Sequence, residues 1–104
     1  MSRESKSKVV VTRHPALVHL LLERGLVPAE VEVLEHATED QIRGKHVFGV
    51  LPLELAAVCA KVTVIPLSLT PELRGKELDL ETLRRIAGEA RTFEVFEKTG
   101  TALK

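Results

Sequence analysis

The sequence predicts a Rossmann-like α/β domain, a three-layer arrangement in which helices cover a mainly parallel sheet of four to five strands. Short apolar runs rich in β-branched residues alternate along the chain with segments of helical spacing, a pattern typical of right-handed βαβ crossovers. The first run, Val9–Val11, has no polar alternation, as expected of a strand buried on both faces. No repeat or linker divides the 104 residues. One domain is therefore expected over residues 1–104, with flexible ends at 1–7 and 98–104.

Prolines and glycines mark where the elements begin and end. Pro15 suits the first turn of a helix, where a missing N–H costs nothing, and Gly25 ends that helix. Strands are expected at Lys8–Thr12, Val31–Leu34, His46–Val50, Val62–Leu67 and, at one edge of the sheet, Thr92–Phe96. The other expected helical segments are a brief turn between His36 and Lys45, a helix from Pro52 through Cys59, and a last helix from its N-cap Asp79 through Ala90.

The core must be aliphatic, because the chain has no Trp or Tyr and only three phenylalanines, although 44% of its residues are hydrophobic. A domain of this size buries a limited share of its surface, so dimerisation is a natural way to strengthen it. A homodimer is therefore expected.

Charge and cysteine content narrow the class of partner and the compartment. Lys+Arg and Asp+Glu both number 15, and no basic run is present, so duplex nucleic acid is not expected as a partner. The single Cys59 suits a reducing compartment. Residues 1–8, MSRESKSK, do not resemble a signal peptide, and no apolar run approaches the ~20 residues of a membrane span. A cytoplasmic protein without a membrane partner is expected.

The turn Thr12-Arg13-His14-Pro15 is the strongest candidate site. Ligands of open parallel sheets bind beyond the carboxyl ends of the strands, and this turn joins such an end to a helix N-terminus, which favours an anion. Thr12 offers a hydroxyl, Arg13 a bidentate phosphate donor and His14 a group that titrates near neutral pH. The alternative is that Thr12 caps the helix and Arg13 is only solvated.

Two further loops are candidates for the same edge of the sheet. In Gly49-Val50-Leu51-Pro52, Gly49 permits close approach of a ligand or a backbone, and tight packing of helix on sheet explains it equally well. The loop 68–78 contains Ser68, Arg74 and Lys76, and its cations can meet phosphates. A charged surface loop is the alternative.

The remaining polar residues give no catalytic signature. The chain lacks the three glycines of a dinucleotide fingerprint and the Lys-Ser/Thr of a Walker loop, so no nucleotide cofactor is expected. His19 is expected at the surface or in an interface, and the histidines show no metal-ligand spacing. Cys59 is expected in the core. Glu35, Glu54 and Glu72 are isolated carboxylates, so a metal-dependent nuclease or a glycosidase-type acid pair has little support.

Three segments, in order, resemble a small family of CRISPR-associated accessory proteins found beside type III systems. They are VVVTRHPALVHLL, HVFGVLPLELAA and PELRGKEL, and the likeness covers roughly residues 8–90. Its most specific elements are Thr12–Pro15, Gly49 with Leu51–Pro52, and Glu72–Leu78. In architecture the family is similar to the CRISPR-associated Rossmann-fold sensors that bind cyclic oligoadenylates as dimers.

The resemblance implies a ring nuclease that cleaves cyclic tetra-adenylate to linear di-adenylate and so switches off the antiviral response. It implies Arg13 and His14 as catalytic residues, with no metal or other cofactor, because the ribose 2′-OH of the ligand is the nucleophile. Ligand-binding residues would be Thr12, Pro15, Gly49, Leu51, Pro52, Ser68, Arg74 and Lys76. Two alternatives stay open: a non-catalytic cyclic oligoadenylate-binding protein, and a regulatory subunit of a CRISPR complex.

Overall fold

Five strands form one sheet in the order β2-β1-β3-β4-β5, in a computed structural model that describes residues 7–73, 75 and 78–98. The strands are β1 (Lys8–Val11), β2 (Glu32–Leu34), β3 (His46–Phe48), β4 (Lys61–Val64) and β5 (Arg91–Phe93). The helices are α1 (Pro15–Glu23), α2 (Glu39–Ile42), α3 (Leu53–Ala56) and α4 (Leu80–Ile86), and Pro71–Leu73 form a 3-10 turn. The first four strands are parallel and β5 is antiparallel to β4. The predicted α/β class and mainly parallel sheet are confirmed.

Alternate side chains of the strands build two apolar clusters, one on each face of the sheet. On one face α1 covers Val10 and Phe48, which are neighbours in the β1–β3 register. On the other face α2 and α3 cover Val47 and Val62, which are neighbours in the β3–β4 register. Successive strand residues point to opposite faces, so β1 and β3 are buried on both sides, as the valine run predicts.

Side-chain contacts join α1 and α4 near the C-terminal end of α1. Arg84 donates two hydrogen bonds to the Glu23 carboxylate, both at 2.8 Å. Arg24 donates to the Gly88 carbonyl oxygen at 2.7 Å. These contacts fix the C-terminal end of α1 against α4 and the segment that leads into β5.

Several elements are shorter than predicted. The helix predicted from Pro52 through Cys59 ends at Ala56, because the chain turns back to begin β4 and the Val58 carbonyl accepts a hydrogen bond from the Gly44 N–H at 2.9 Å. The last helix ends at Ile86 rather than Ala90, since Gly88 N–H bonds to the Pro66 carbonyl at 2.8 Å. Residues 1–6 and 99–104, which include most of the ends predicted to be flexible, lie outside the described residues.

Strand and turn boundaries follow the prediction more closely. Each strand begins within one residue of its predicted start and ends one to three residues earlier, or at the predicted residue in β2, and α2 is the expected brief turn. Gln41 Oε1 accepts from the Thr38 N–H at 2.9 Å, as the capping spacing predicts. Asp79 caps α4, accepting from the Thr82 N–H at 2.9 Å, and its hydrogen bonding with Thr82 lowers the pKa of its carboxyl. In the part of the chain that the structure describes, no helix is long and apolar enough to cross a membrane.

Candidate functional site

The turn from β1 into α1 lies at the carboxyl edge of the sheet. Thr12 still pairs with β2, donating its N–H to the Leu34 carbonyl at 2.9 Å. His14 is the N-cap of α1 in an extended conformation, and Pro15 occupies the first helical position. The side chains of Arg13 and His14 are exposed to solvent. The chain therefore presents both groups at the position where open parallel sheets bind ligands.

Internal hydrogen bonds use part of the donor capacity of this turn. The His14 N–H donates to the Thr12 hydroxyl oxygen at 3.1 Å, and the Leu17 N–H donates to the His14 carbonyl at 3.0 Å. Pro15 has no N–H. The Thr12 side chain thus shapes the turn, and the strongest anion donor of the turn is the Arg13 guanidinium rather than a row of backbone amides.

A cavity of about 260 Å³ opens between the start of α1 and the end of β2. One wall is the turn itself, and the opposite wall comes from β2 and the residue that follows it. Pro15, Val18 and His19 occupy positions i, i+3 and i+4 of α1, so they share one face of the helix. The lining residues are Thr12, Arg13, His14, Pro15, Val18, His19, Val33 and Glu35.

Two polar residues that line the cavity were not among the site residues predicted from the sequence. His19, expected at the surface or in an interface, is exposed and lines this cavity, and Glu35, regarded as an isolated carboxylate, faces it from the end of β2. The signal that points to Glu35 is topological, because the residues that follow two neighbouring parallel strands must meet at one edge of the sheet. The signal for His19 is its helical spacing of four from Pro15.

The second predicted loop is not part of this cavity. Gly49 has a φ of 144°, and a Cβ there would collide with the Val11 carbonyl oxygen, so its backbone packs against β1. Leu51 packs on the α2–α3 side of the core, and exposed Pro52 is the N-cap of α3. For Gly49 the sequence left open close approach of a ligand or a backbone and tight packing of helix on sheet, and the close contact in the structure is with the backbone of β1.

The third predicted loop is also separate from the cavity where the structure describes it. Ser68 is exposed and donates its N–H to the Ile86 carbonyl at 3.0 Å, which ties the start of this loop to the end of α4. Arg74 and Lys76 lie outside the described residues.

His46 lies at the opposite edge of the sheet, where β3 begins. Its Nε2 is 2.6 Å from the Thr63 hydroxyl oxygen, and its ring stacks on Phe48 with the centroids 4.3 Å apart. Desolvation by burial lowers the pKa of His46 from 6.5 to about 4, with Lys61 and Lys8 adding to the effect.

Over residues 7–73, 75 and 78–98, no group of three or more His, Cys, Asp or Glu side chains is placed to hold a metal ion.

The parallel sheet and the cavity at its carboxyl edge define an α/β domain with a candidate site for a small anionic ligand. The chain belongs to the family described as "Putative CRISPR-associated protein (Cas_VVA1548)", whose profile matches residues 9–96. The matched region runs from Val9 in β1 to Phe96, beyond the end of β5, and includes every residue that lines the cavity. No curated protein and no solved structure is significantly similar to the chain.

Proposed function

We propose that this CRISPR-associated protein is a ring nuclease that binds cyclic tetra-adenylate and cleaves it to linear di-adenylate, and so switches off type III CRISPR signalling. The observation that carries the proposal is the pairing of Arg13 with His14 in one exposed turn at the carboxyl edge of a parallel sheet. Membership of a CRISPR-associated family supports the biological setting.

The substrate supplies its own nucleophile. The ribose 2′-OH attacks the adjacent phosphorus, the new O2′–P bond forms as the P–O5′ bond breaks, and the products end in 2′,3′-cyclic phosphate and 5′-OH. The protein has to hold the 2′-OH in line, stabilise charge on the phosphate and move two protons. These demands are met by a cation and titratable groups without a bound cofactor.

Three residues of the turn have parts in this reaction. The Arg13 guanidinium binds the phosphate and stabilises the charge that develops on it, because its planar fork matches two phosphate oxygens. His14 acts as general acid or base. Thr12 keeps the turn in shape through its bond to the His14 N–H and retains a hydroxyl proton for the ligand.

The proposed substrate is larger than the cavity of one subunit. About 260 Å³ is near the lower limit of small-molecule pockets, which measure roughly 300–1,000 Å³. A ring of four nucleotides therefore needs a larger surface than this cavity offers. A homodimer with its twofold axis on that of the ring would supply two equal sites and one cleavage in each half of the ring.

Product analysis tests the proposal directly. The purified protein is incubated with cyclic tri-, tetra- and hexa-adenylate, with and without EDTA. Cyclic tetra-adenylate is expected to yield linear di-adenylates with cyclic phosphate ends at the same rate in both conditions. Tight binding with the ring recovered intact would identify a sequestering protein instead. No affinity for any ring would favour a regulatory subunit, and a strict need for Mn²⁺ or Mg²⁺ would contradict the mechanism.

A further inference from the structure

We infer that His19 is a second proton-transfer group of the site, paired with His14 across the scissile phosphate. The inference rests on the proposed function and extends it to a residue that the turn motif does not contain. It starts from the cavity beside α1, whose lining residues include His14 and His19 together with Arg13.

Cleavage by an internal 2′-OH requires two proton transfers at different atoms. One group takes the proton of the 2′-OH as the O2′–P bond forms. Another gives a proton to O5′ as the P–O5′ bond breaks. In an in-line displacement the attacking and leaving oxygens lie on opposite sides of the phosphorus, so one side chain does not reach both at the required distance of about 2.6–3.2 Å. A second group is needed, or solvent must replace it.

The position of His19 on α1 suits this second role. His14 is the N-cap, and His19 follows five residues later, a rise of roughly 7.5 Å along a helix. Helical side chains lean toward the N-terminus, so the imidazole of His19 leans toward the turn that bears Arg13 and His14. Pro15, one turn below His19 on the same helix face, also lines the cavity. A phosphate bound by Arg13 would then lie in the cavity that both histidines line.

Solvent exposure and a nearby carboxylate suit His19 to proton transfer. His14 and His19 are both exposed, so solvent reaches both rings between turnovers. Glu35 faces the same cavity from the end of β2 and supplies a carboxylate that can orient an imidazole. One histidine ends a turnover with an extra proton and the other lacks one, and exchange with water restores both.

Single-turnover rates and dissociation constants for cyclic tetra-adenylate test the inference. They are measured in EDTA from pH 5 to 9 on the parent protein and on His14→Ala, His19→Ala and His36→Ala. His36 is the matched control, because it is an exposed histidine just beyond β2 and does not line the cavity. His19→Ala is expected to bind within about threefold of the parent and to cleave about 10²–10⁴-fold more slowly. With two proton-transfer groups the parent is expected to give a bell-shaped pH profile, and His19→Ala to lose one limb of it and to regain rate in added imidazole.

His14→Ala is expected to lose the opposite limb, and His36→Ala to behave like the parent. If His19→Ala keeps both limbs and the parental rate while the parent protein cleaves the ring, the role of His19 is wrong and the ring nuclease stands. A slower His19→Ala with both limbs present and no imidazole rescue also overturns the role, since that result describes a structural residue. If the parent cleaves no ring at all, both proposals fail.

Discussion

Arg13 and His14 are neighbours in one turn, but the proposed reaction makes different demands of them. Arg13→Ala should weaken binding and cleavage together, because a guanidinium on a phosphate acts in the ground state and more strongly as charge develops. The expected loss is about 2–4 kcal/mol in the transition state. His14→Ala should spare affinity and slow cleavage by about 10²–10⁴-fold. Single-turnover rates and dissociation constants on the same preparations separate the two effects.

The control for the loss of a cation is Arg43→Ala. Arg43 is exposed at the end of α2, away from the cavity, where it forms surface ion pairs with Glu39 and Asp40 at 3.6 and 3.5 Å. Surface pairs of this kind contribute little to stability. If Arg43→Ala impairs cleavage as much as Arg13→Ala, the effect of Arg13 is general electrostatics and its assignment to the phosphate is wrong.

His46 should make folding stability depend on pH. Its pKa is about 4 in the folded protein and 6.5 when unperturbed, so between these values the unfolded chain binds more protons. The contribution of His46 is therefore complete above about pH 6.5 and is lost as the pH falls toward 4. Because the ring is only half-buried, the loss is expected to be on the order of 1 kcal/mol. Urea unfolding at a series of pH values measures it.

The non-titrating variant for this experiment is His46→Gln. Its stability should stay nearly level from pH 6.5 to 4.5, where the parent declines. Gln does not titrate, and the contribution of the carboxyls whose pKa values are lowered, Glu23, Glu72 and Asp79, is lost only as the pH falls below their unperturbed values of 4.5, 4.5 and 3.8. An equal decline in both proteins would assign the pH dependence to other groups.

At the scale of the elements, Gly49 sets how closely the backbone after β3 approaches β1. Gly49→Ala should destabilise the protein by more than the about 1–3 kcal/mol of an unfavourable backbone conformation, because its Cβ would also meet the Val11 carbonyl oxygen. Gly44→Ala is the matched comparison, with a φ of 72° and open space around the added Cβ. Urea midpoints should rank the parent first, Gly44→Ala second and Gly49→Ala last. The reverse order of the two variants would show that the contact at Val11 relaxes freely.

The elements also show where local sequence patterns succeed. A run of valines favours a buried strand, Pro15 favours the first turn of a helix and Asp79 favours an N-cap, whatever the rest of the chain does. The sequence therefore predicts β1, α1 and the start of α4 nearly to the residue. The helix predicted after Pro52 is too long, because its end depends on a hydrogen bond to Gly44, a contact between distant segments. Helix propensity alone does not contain that information.

At the scale of the whole molecule, the protein is expected to be a homodimer. The carboxyl edge that carries the proposed site also exposes Val50 and Leu53 at 78% and 73% of their surfaces, and Leu67 and Leu69, in the loop after β4, are partly exposed. Apolar side chains grouped at one edge favour association. Sedimentation of the parent should give twice the mass of the chain, and Val50→Asp with Leu53→Asp should shift it toward the monomer. A monomeric parent, both free and with cyclic tetra-adenylate, would contradict the dimer.

The candidate site is only partly predictable from sequence, for the same reason as the fold. The turn Thr12–Pro15 is contiguous in sequence, and its place after a buried strand identifies the carboxyl edge. Glu35 enters the cavity because β2 pairs with β1, whereas sequence reasoning looks for partners after β3 and β4. Strand order is set by pairing between distant segments. A local sequence pattern therefore predicts which loops lie at the carboxyl edge but not which of those loops are adjacent.

The helices on one face of the sheet are shorter than α1 on the other face, and this difference affects how often each element opens locally. A four-residue helix closes few backbone hydrogen bonds, so α2 and α3 should open and exchange their amide hydrogens quickly, while α1, nine residues long and fixed to α4, should open rarely. The amide hydrogens of α2 and α3 should therefore exchange for deuterium first, and those at the centre of β1 and β3 last. The turn bearing Arg13 and His14 connects β1 to α1, the two elements that open least. Its side chains would keep their relative positions through local openings that loosen the other half of the protein.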